Sequence, residues 1–309
     1  MEERVGQVVL NLDKYPGQDF YCEGPIEDRL LEIAKTAKEE EYNEIIARSN
    51  SWPILYHFSH IRQNVVSWLP ITKEDTVLEI GAGCGAITGA LAQMAKKVTC
   101  IELSKKRSLI NAHRNKDKDN INILVGNFSD VEKELKEKYD YITLIGVFEY
   151  AASYISGENP YKNFLNIVKT HLKPNGKLVI AIENQMGLKY FAGCVEDHTG
   201  RMFEGIEGYP NANGVKTFSR PTLELLFKKC GLEKYSFYYP YPDYKFPFSI
   251  YSDEYLPRPK ELTDNINNFN DIRYVLFDEG QAFDAIIKNG MFPQFANSFL
   301  VILEQGENE

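Results

Sequence analysis

The sequence has no apolar run that approaches the roughly 20 residues needed to cross a bilayer, so no membrane span is expected. Its opening, MEERVGQVVLNLDKYPG, lacks the basic flank and apolar stretch of a secretory signal. Cysteine is scarce: Cys22, Cys84, Cys100, Cys194 and Cys230 form no C-x-x-C pair and no zinc spacing with histidine, and an odd, scattered set reads as reduced thiols of a cytoplasmic protein. Positive charge is also short. With 35 basic against 44 acidic residues the net charge is −9, and no Lys/Arg stripe interleaved with aromatics offsets it. Such a balance repels phosphate backbones, and the expectation is that nucleic acid is not a partner.

What is present is globular: 309 residues, 43% apolar, 13% aromatic and 26% charged, enough for one large α/β domain or two modest ones without stapling. Residues 26–48 carry Ile26, Leu30, Leu31, Ile33, Ala34 and Ala37 at helical spacing, and a further helix is expected near 54–68, so residues 1–70 read as a helical N-terminal extension. From Val77 the texture changes. Short β-rich runs (VLEIGAG, KVTCIEL, INILVG, YDYITLIGVFEY, GKLVIAIEN) alternate with helical segments, the pattern of a mostly parallel sheet covered on both faces. A helix is expected at about 219–230, after which an aromatic run to Tyr255 contains Pro240, Pro242 and Pro247, which forbid a central strand beyond Tyr239. If LEKYSFYY pairs with the last strand-like run, SFLVILEQ, the core covers 71–239 and 297–309, and 240–296 is an insertion or cap.

The stretch VLEIGAGCG (77–85) is a buried strand that meets a glycine turn and then a helix. Such a turn lets a ligand approach the backbone while the helix start offers free N–H groups. Its glycines also satisfy the loose dinucleotide pattern, so context has to discriminate. Glu79, two residues before the first glycine, would oppose a pyrophosphate but suit a cationic ligand. Glu102, at the end of the next strand, can accept from both ribose hydroxyls of either kind of ligand.

With V-L-E-I-G-A-G-C-G followed by I-E-L-S, residues 55–235 and the last strand resemble the class I S-adenosylmethionine-dependent methyltransferases. The resemblance implies a Rossmann-like α/β fold with a mostly parallel seven-stranded sheet and a C-terminal antiparallel hairpin, and S-adenosyl-L-methionine as cofactor. It implies that Glu79 and the turn Gly81, Ala82, Gly83 hold the methionine end, that Glu102 holds the ribose, that Leu103 packs on adenine flanked by Asn127 and Phe128, and that Gly146 lies beside the cofactor. Asn127 stands where the family often has aspartate. A narrower likeness in LIGVFEYA, AIENQMGLKYFAGCVEDHTGRMFEGIEGYP and YYPYPDYKFP is to methyltransferases associated with glycosyltransferases and cell-surface polysaccharide synthesis. It implies a small-molecule or glycan acceptor and association with a glycosyltransferase.

Methyl transfer is an in-line displacement that needs alignment more than chemistry, but a hydroxyl acceptor must give up a proton. His198 is the first candidate base, since an unperturbed imidazole accepts a proton at neutral pH, with Glu196 or Asp197 orienting it; the alternative is a brace within the loop. Glu149 in GVFEY is the second. Arg201 and Tyr209 in the same polar loop, and Tyr241 and Asp243 in the aromatic run, are candidate acceptor contacts. Arg62 could clamp the methionine carboxylate, with Tyr56 closing over the cofactor; a surface ion pair and core packing are the plain alternatives. No N-P-P-Y or D-P-P-Y follows the fourth strand, which removes the usual signature of amino methylation on nucleic-acid bases, and no Asp/Asp/Asn set is present, so no metal is expected. The rival readings are N- or carboxyl-methylation of a small metabolite, a nicotinamide-dependent dehydrogenase, and a binding module that has lost transfer. The sequence leaves oligomeric state open.

Overall fold

The computed structural model describes residues 1–19, 22–155, 157–265 and 273–306. The chain divides into two compact units, Met1–Leu144 with Thr170–Lys177, and Ile145–Lys169 with Leu178–Glu309. Among the described residues they hold a large, mostly parallel sheet with helices, the Rossmann-like α/β architecture the sequence implies, but of ten strands rather than the seven expected, since an N-terminal hairpin and one further strand extend it.

In the first unit the strands are β1 (Glu2–Val5), β2 (Val8–Lys14), β3 (Thr76–Ile80), β4 (Lys97–Glu102), β5 (Ile121–Gly126) and β6 (Tyr139–Ile145), in the order β1-β2-β5-β4-β3-β6. All the recorded neighbours from β2 to β6 pair in parallel; β1 with β2 is antiparallel. The reason lies in composition: β3 and β4 are apolar on both faces, which suits central strands flanked by helices. Helices α1 (Ile26–Thr36), α2 (Tyr42–Ser49) and α3 (Trp52–Phe58) pack against α5 (Lys105–Arg114), which follows α4 (Thr88–Met94). Their shared core is Leu30, Ile33, Tyr42, Ile54, Phe58 and Ile110, and Cys84 of the glycine turn belongs to it, so α3 is packed beside that turn.

The expected helical extension is corrected at its start. Residues 2–14 form a hairpin because Gly6, at φ +58, turns the chain tightly and Val8 and Leu10 alternate into the interior.

In the second unit the order is β7-β10-β8-β9, where β7 (Leu172–Glu183) enters from the first unit and β8 is Lys234–Tyr241, β9 Ser249–Ser252 and β10 Ser298–Glu304. β8 and β10 pair antiparallel, Tyr238 opposite Leu300. β8 runs two residues further than the prolines suggested: Pro240 and Tyr241 pair only with β9, where a missing N–H is tolerated. The aromatic run is core. Phe237 meets Phe299 edge-on at 5.4 Å and Tyr239 meets Phe292 at 5.4 Å. Of the expected cap, β9 and the helices Glu279–Lys288 and Phe292–Phe295 are described, and 266–272 lie outside the described residues.

Among the described residues no helix is long and apolar enough to cross a membrane.

Candidate active site

β3 ends in the turn Gly81–Gly85, where Gly81, Gly83 and Gly85 take φ of +72, +53 and +77. A side chain is strained at each. Among the described residues a Cβ on Gly83 would meet nothing within 4 Å, whereas one on Gly85 would stand 2.4 Å from Asn111 Oδ1. Gly83 therefore lies against open space that a ligand can enter, and Gly85 is a packing glycine. Glu102, buried at the end of β4, accepts from Gly83 N at 2.8 Å and from Ser104 N at 2.9 Å. Burial raises its pKa against the backbone N–H of Ser104. A carboxylate has about four acceptor positions, so Glu102 keeps capacity for a diol while fixing the turn.

Glu79 is buried, accepting from Thr88 Oγ1 at 2.6 Å and Cys100 Sγ at 3.4 Å, while Asn111 Nδ2 donates to the same Thr88 hydroxyl at 2.9 Å. Burial pushes its carboxyl up to about 7, against the hydrogen bonds of Thr88 and Cys100. In this structure it ties β3 to the start of α4. Asn127 Oδ1 accepts from Ser129 N and Oγ, both at 3.1 Å, as the cap of the short helix Phe128–Val131; Phe128 is buried and Leu103 half-buried. Arg62 is buried rather than at the surface. It donates to Tyr56 OH at 3.2 Å and its guanidinium lies 4.0 Å from that ring's centroid.

The second unit gathers charge from three distant stretches. Gly146, φ +68, follows β6, and a Cβ there would come within 2.8 Å of Tyr244 OH. Glu149 sits in the turn Phe148–Tyr150 and Glu183 ends β7; they are 1% and 0% exposed. His198 lies between them, its Nε2 3.4 Å from Glu149 Oε1 and 3.8 Å from Glu183 Oε2. Of the two residues expected to orient it, Glu196 does so, at 2.8 Å from Nδ1, and Glu196 also accepts from Tyr209 OH at 3.2 Å. Asp197 faces elsewhere: Lys189 Nζ is 2.8 Å from it and Tyr190 OH donates to it at 2.6 Å, while Lys245 pairs with both Asp197 and Glu183. Lys189 also reaches Asp243 at 3.2 Å.

The reading of His198 as a free base is corrected by this company. Burial works against its charged form, but the carboxylates of Glu183, Glu149 and Glu196 outweigh burial and hold its pKa well above the usual range of an imidazole. Burial raises the pKa of Glu149. Tyr241 and Asp243 are interior: Tyr241 OH donates to Asn265 Oδ1 at 3.1 Å, and Asp243 pairs with Lys189. Arg201 is exposed. Glu183, Lys189 and Lys245 escaped sequence reasoning, although Glu183 was visible as the first charge after the apolar run LVIAI.

Residues 28–236 match a family model described as a methyltransferase domain. Among curated proteins, ribosomal RNA small subunit methyltransferase A of Alkaliphilus metalliredigens is 26% identical over 188 residues, 60% of this chain and 63% of that protein. The protein of the same name from Leuconostoc mesenteroides is 34% identical over 82 residues, 26% of this chain and 28% of that one. The chain thus spans less than two thirds of the length of these relatives. Of solved structures, a chain from the complex of the Haloferax volcanii Trm112 methyltransferase activator with a methyltransferase aligns at TM-score 0.49 and 17% identity, covering 88% of this chain and 99% of that one. An O-methyltransferase family protein from Burkholderia thailandensis aligns at TM-score 0.48 and 12% identity, covering 91% and 68%. The curated relatives are named for ribosomal RNA, and this overturns the expectation that nucleic acid is not a partner; net charge is a sum over the surface and does not govern any one patch of it.

Proposed function

The chain belongs to the methyltransferase-domain family and is an S-adenosylmethionine-dependent methyltransferase, and from that premise we propose that it methylates a hydroxyl of a sugar, glycolipid or related polar acceptor. The dehydrogenase left open by the glycine spacing is set aside by that membership. Within the first unit, the turn Gly81, Ala82, Gly83 is the part that would take the methionine end of the cofactor and Glu102 the ribose. The open space at Gly83 and the spare acceptor capacity of Glu102 support this assignment. When bound, the cofactor supplies an electrophilic methyl group on a cationic sulfur.

One observation carries the acceptor chemistry: Glu149 Oε2 and Glu183 Oε2 are buried beside His198 with no hydrogen-bond partner among the described residues. Buried oxygens of this kind ask for a donor. A hydroxyl supplies one, and as its oxygen takes the methyl group its proton passes to Glu149. A carboxylate acceptor would bring a further negative charge against Glu149, Glu183 and Glu196, which disfavours it. His198, held at Nδ1 by Glu196, stands between the two carboxylates rather than removing the proton. The three stretches of narrower likeness in the sequence are those that carry Glu149, then Glu183 with Glu196 and His198, then Asp243 with Lys245.

The test is transfer of a radiolabelled methyl group to a panel of hydroxyl, amine and carboxyl acceptors. Hydroxyl acceptors are expected to be labelled, and Glu149→Gln to lower turnover by about 100-fold or more while S-adenosylhomocysteine affinity, measured by calorimetry, is retained. Label confined to amines or carboxylates would overturn the reading. The names of the curated relatives favour a second reading, an acceptor in ribosomal RNA, and label recovered in an added RNA fraction would select it.

A further inference from the structure

In the second unit Glu149, Glu183 and His198 each offer one ligand-type atom, and these atoms all lie within 4.8 Å of one another. The separations from His198 Nε2, 3.4 Å to Glu149 and 3.8 Å to Glu183, are longer than the 2.7–2.9 Å of a charge-assisted hydrogen bond. They lie within the range for atoms that share an octahedral ion, because two ligands at about 2.1 Å stand roughly 3 Å apart at a right angle and about 4.2 Å apart when opposite. A second observation is independent of the spacing. Glu149 and Glu183 are 1% and 0% exposed, and among the described residues the Oε2 atom of each lacks a hydrogen-bond partner. Buried carboxylate oxygens left in that state are costly, and Lys245 pairs with Glu183 through Oε1, leaving these two oxygens for a further cation. Glu196 at 2.8 Å from Nδ1 completes the arrangement, since a carboxylate on one ring nitrogen is what orients the other toward a metal.

We propose that Glu149, Glu183 and His198 bind one divalent first-row cation, with Mn²⁺ suited to two carboxylate oxygens and one imidazole. The site replaces the expectation, drawn from the lack of an Asp/Asp/Asn set, that the chain takes no metal. For the ion's role, which is to hold the acceptor oxygen, the inference rests on the hydroxyl-acceptor reading; cation binding itself needs neither donor nor acceptor. Ligation by one oxygen of each carboxylate leaves the second oxygen of Glu149 for the acceptor's proton.

The experiment is titration of the chelator-stripped full chain with Mn²⁺, followed by the electron paramagnetic resonance signal of the free ion. The expected result is one ion per chain, affinity at least about tenfold weaker in Glu196→Gln, and binding lost in Glu183→Gln. Because Glu183 also pairs with Lys245, circular dichroism checks that its variant folds; if it does not, the wild-type titration and Glu196→Gln decide. A wild-type chain that takes up no Mn²⁺ at millimolar concentration, or uptake unchanged in both variants, overturns the site and leaves methyl transfer to hydroxyls standing. Mn²⁺ uptake that depends on these residues, in a protein that labels no hydroxyl, supports the site and overturns the acceptor reading instead.

Discussion

Glu79 has a placement unexpected of the carboxylate in a glycine-turn motif: it is a buried group whose hydrogen bonds go to Thr88 and Cys100. Its pKa of about 7 in the folded chain stands above the 4.5 of an exposed glutamate, chiefly because burial disfavours the charge. The folded state therefore holds the proton more tightly, and stability should be highest below pH 4.5 as far as this group is concerned, falling as pH rises to about 7 and flat above it. The loss is on the order of 3 kcal/mol. Glu79→Gln should remove that part of the pH dependence and make the chain more stable at pH 8, as read from urea midpoints at several pH values. Glu102 was legible as a strand-end acid, since its place there is fixed by chain order. Its second task, holding Gly83 N, was not, because that depends on where the turn folds back.

At the scale of elements, the glycine turn separates two kinds of glycine that look alike in the sequence. Gly83→Ala carries the cost of positive φ, about 1–2 kcal/mol. Gly85→Ala adds a collision with Asn111, whose amide supports Thr88 and through it Glu79, so it should lower stability by at least ~1 kcal/mol more, measured by chemical denaturation of both variants. The N-terminal hairpin makes a second case. β2 covers the edge of β5 in parallel register, and deleting residues 1–14 would leave β5 as an unpaired apolar edge strand. That truncation should self-associate, seen as larger species in gel filtration. The hairpin was hidden because RVGQVVLNLDK is short, and only its pairing with β5, more than a hundred residues on, makes it a strand.

At the scale of the molecule, the second unit is organised around charges drawn from segments far apart in the chain. Lys189 is buried between Asp197 and Asp243, and removing one member of such a group leaves the rest uncompensated. Lys189→Met should cost about 3–5 kcal/mol of stability, read from the urea midpoint, whereas Arg201→Met at the exposed position in the same loop should cost little. The overall charge of −9 does not settle what the chain meets for the same reason: where charges stand matters more than their sum.

Taken by itself, the chain's order of residues determined the strand–turn–helix unit at Val77–Gly85, the alternation that yields a parallel sheet, and the acids at strand ends, because each follows from local periodicity and backbone sterics. Only the tertiary structure decided that Glu149, Glu183 and His198 meet and that Glu196 rather than Asp197 orients the imidazole. Contacts across dozens of residues, and the loss of solvent that makes their charges interact strongly, are set by packing and leave no periodic trace in the sequence.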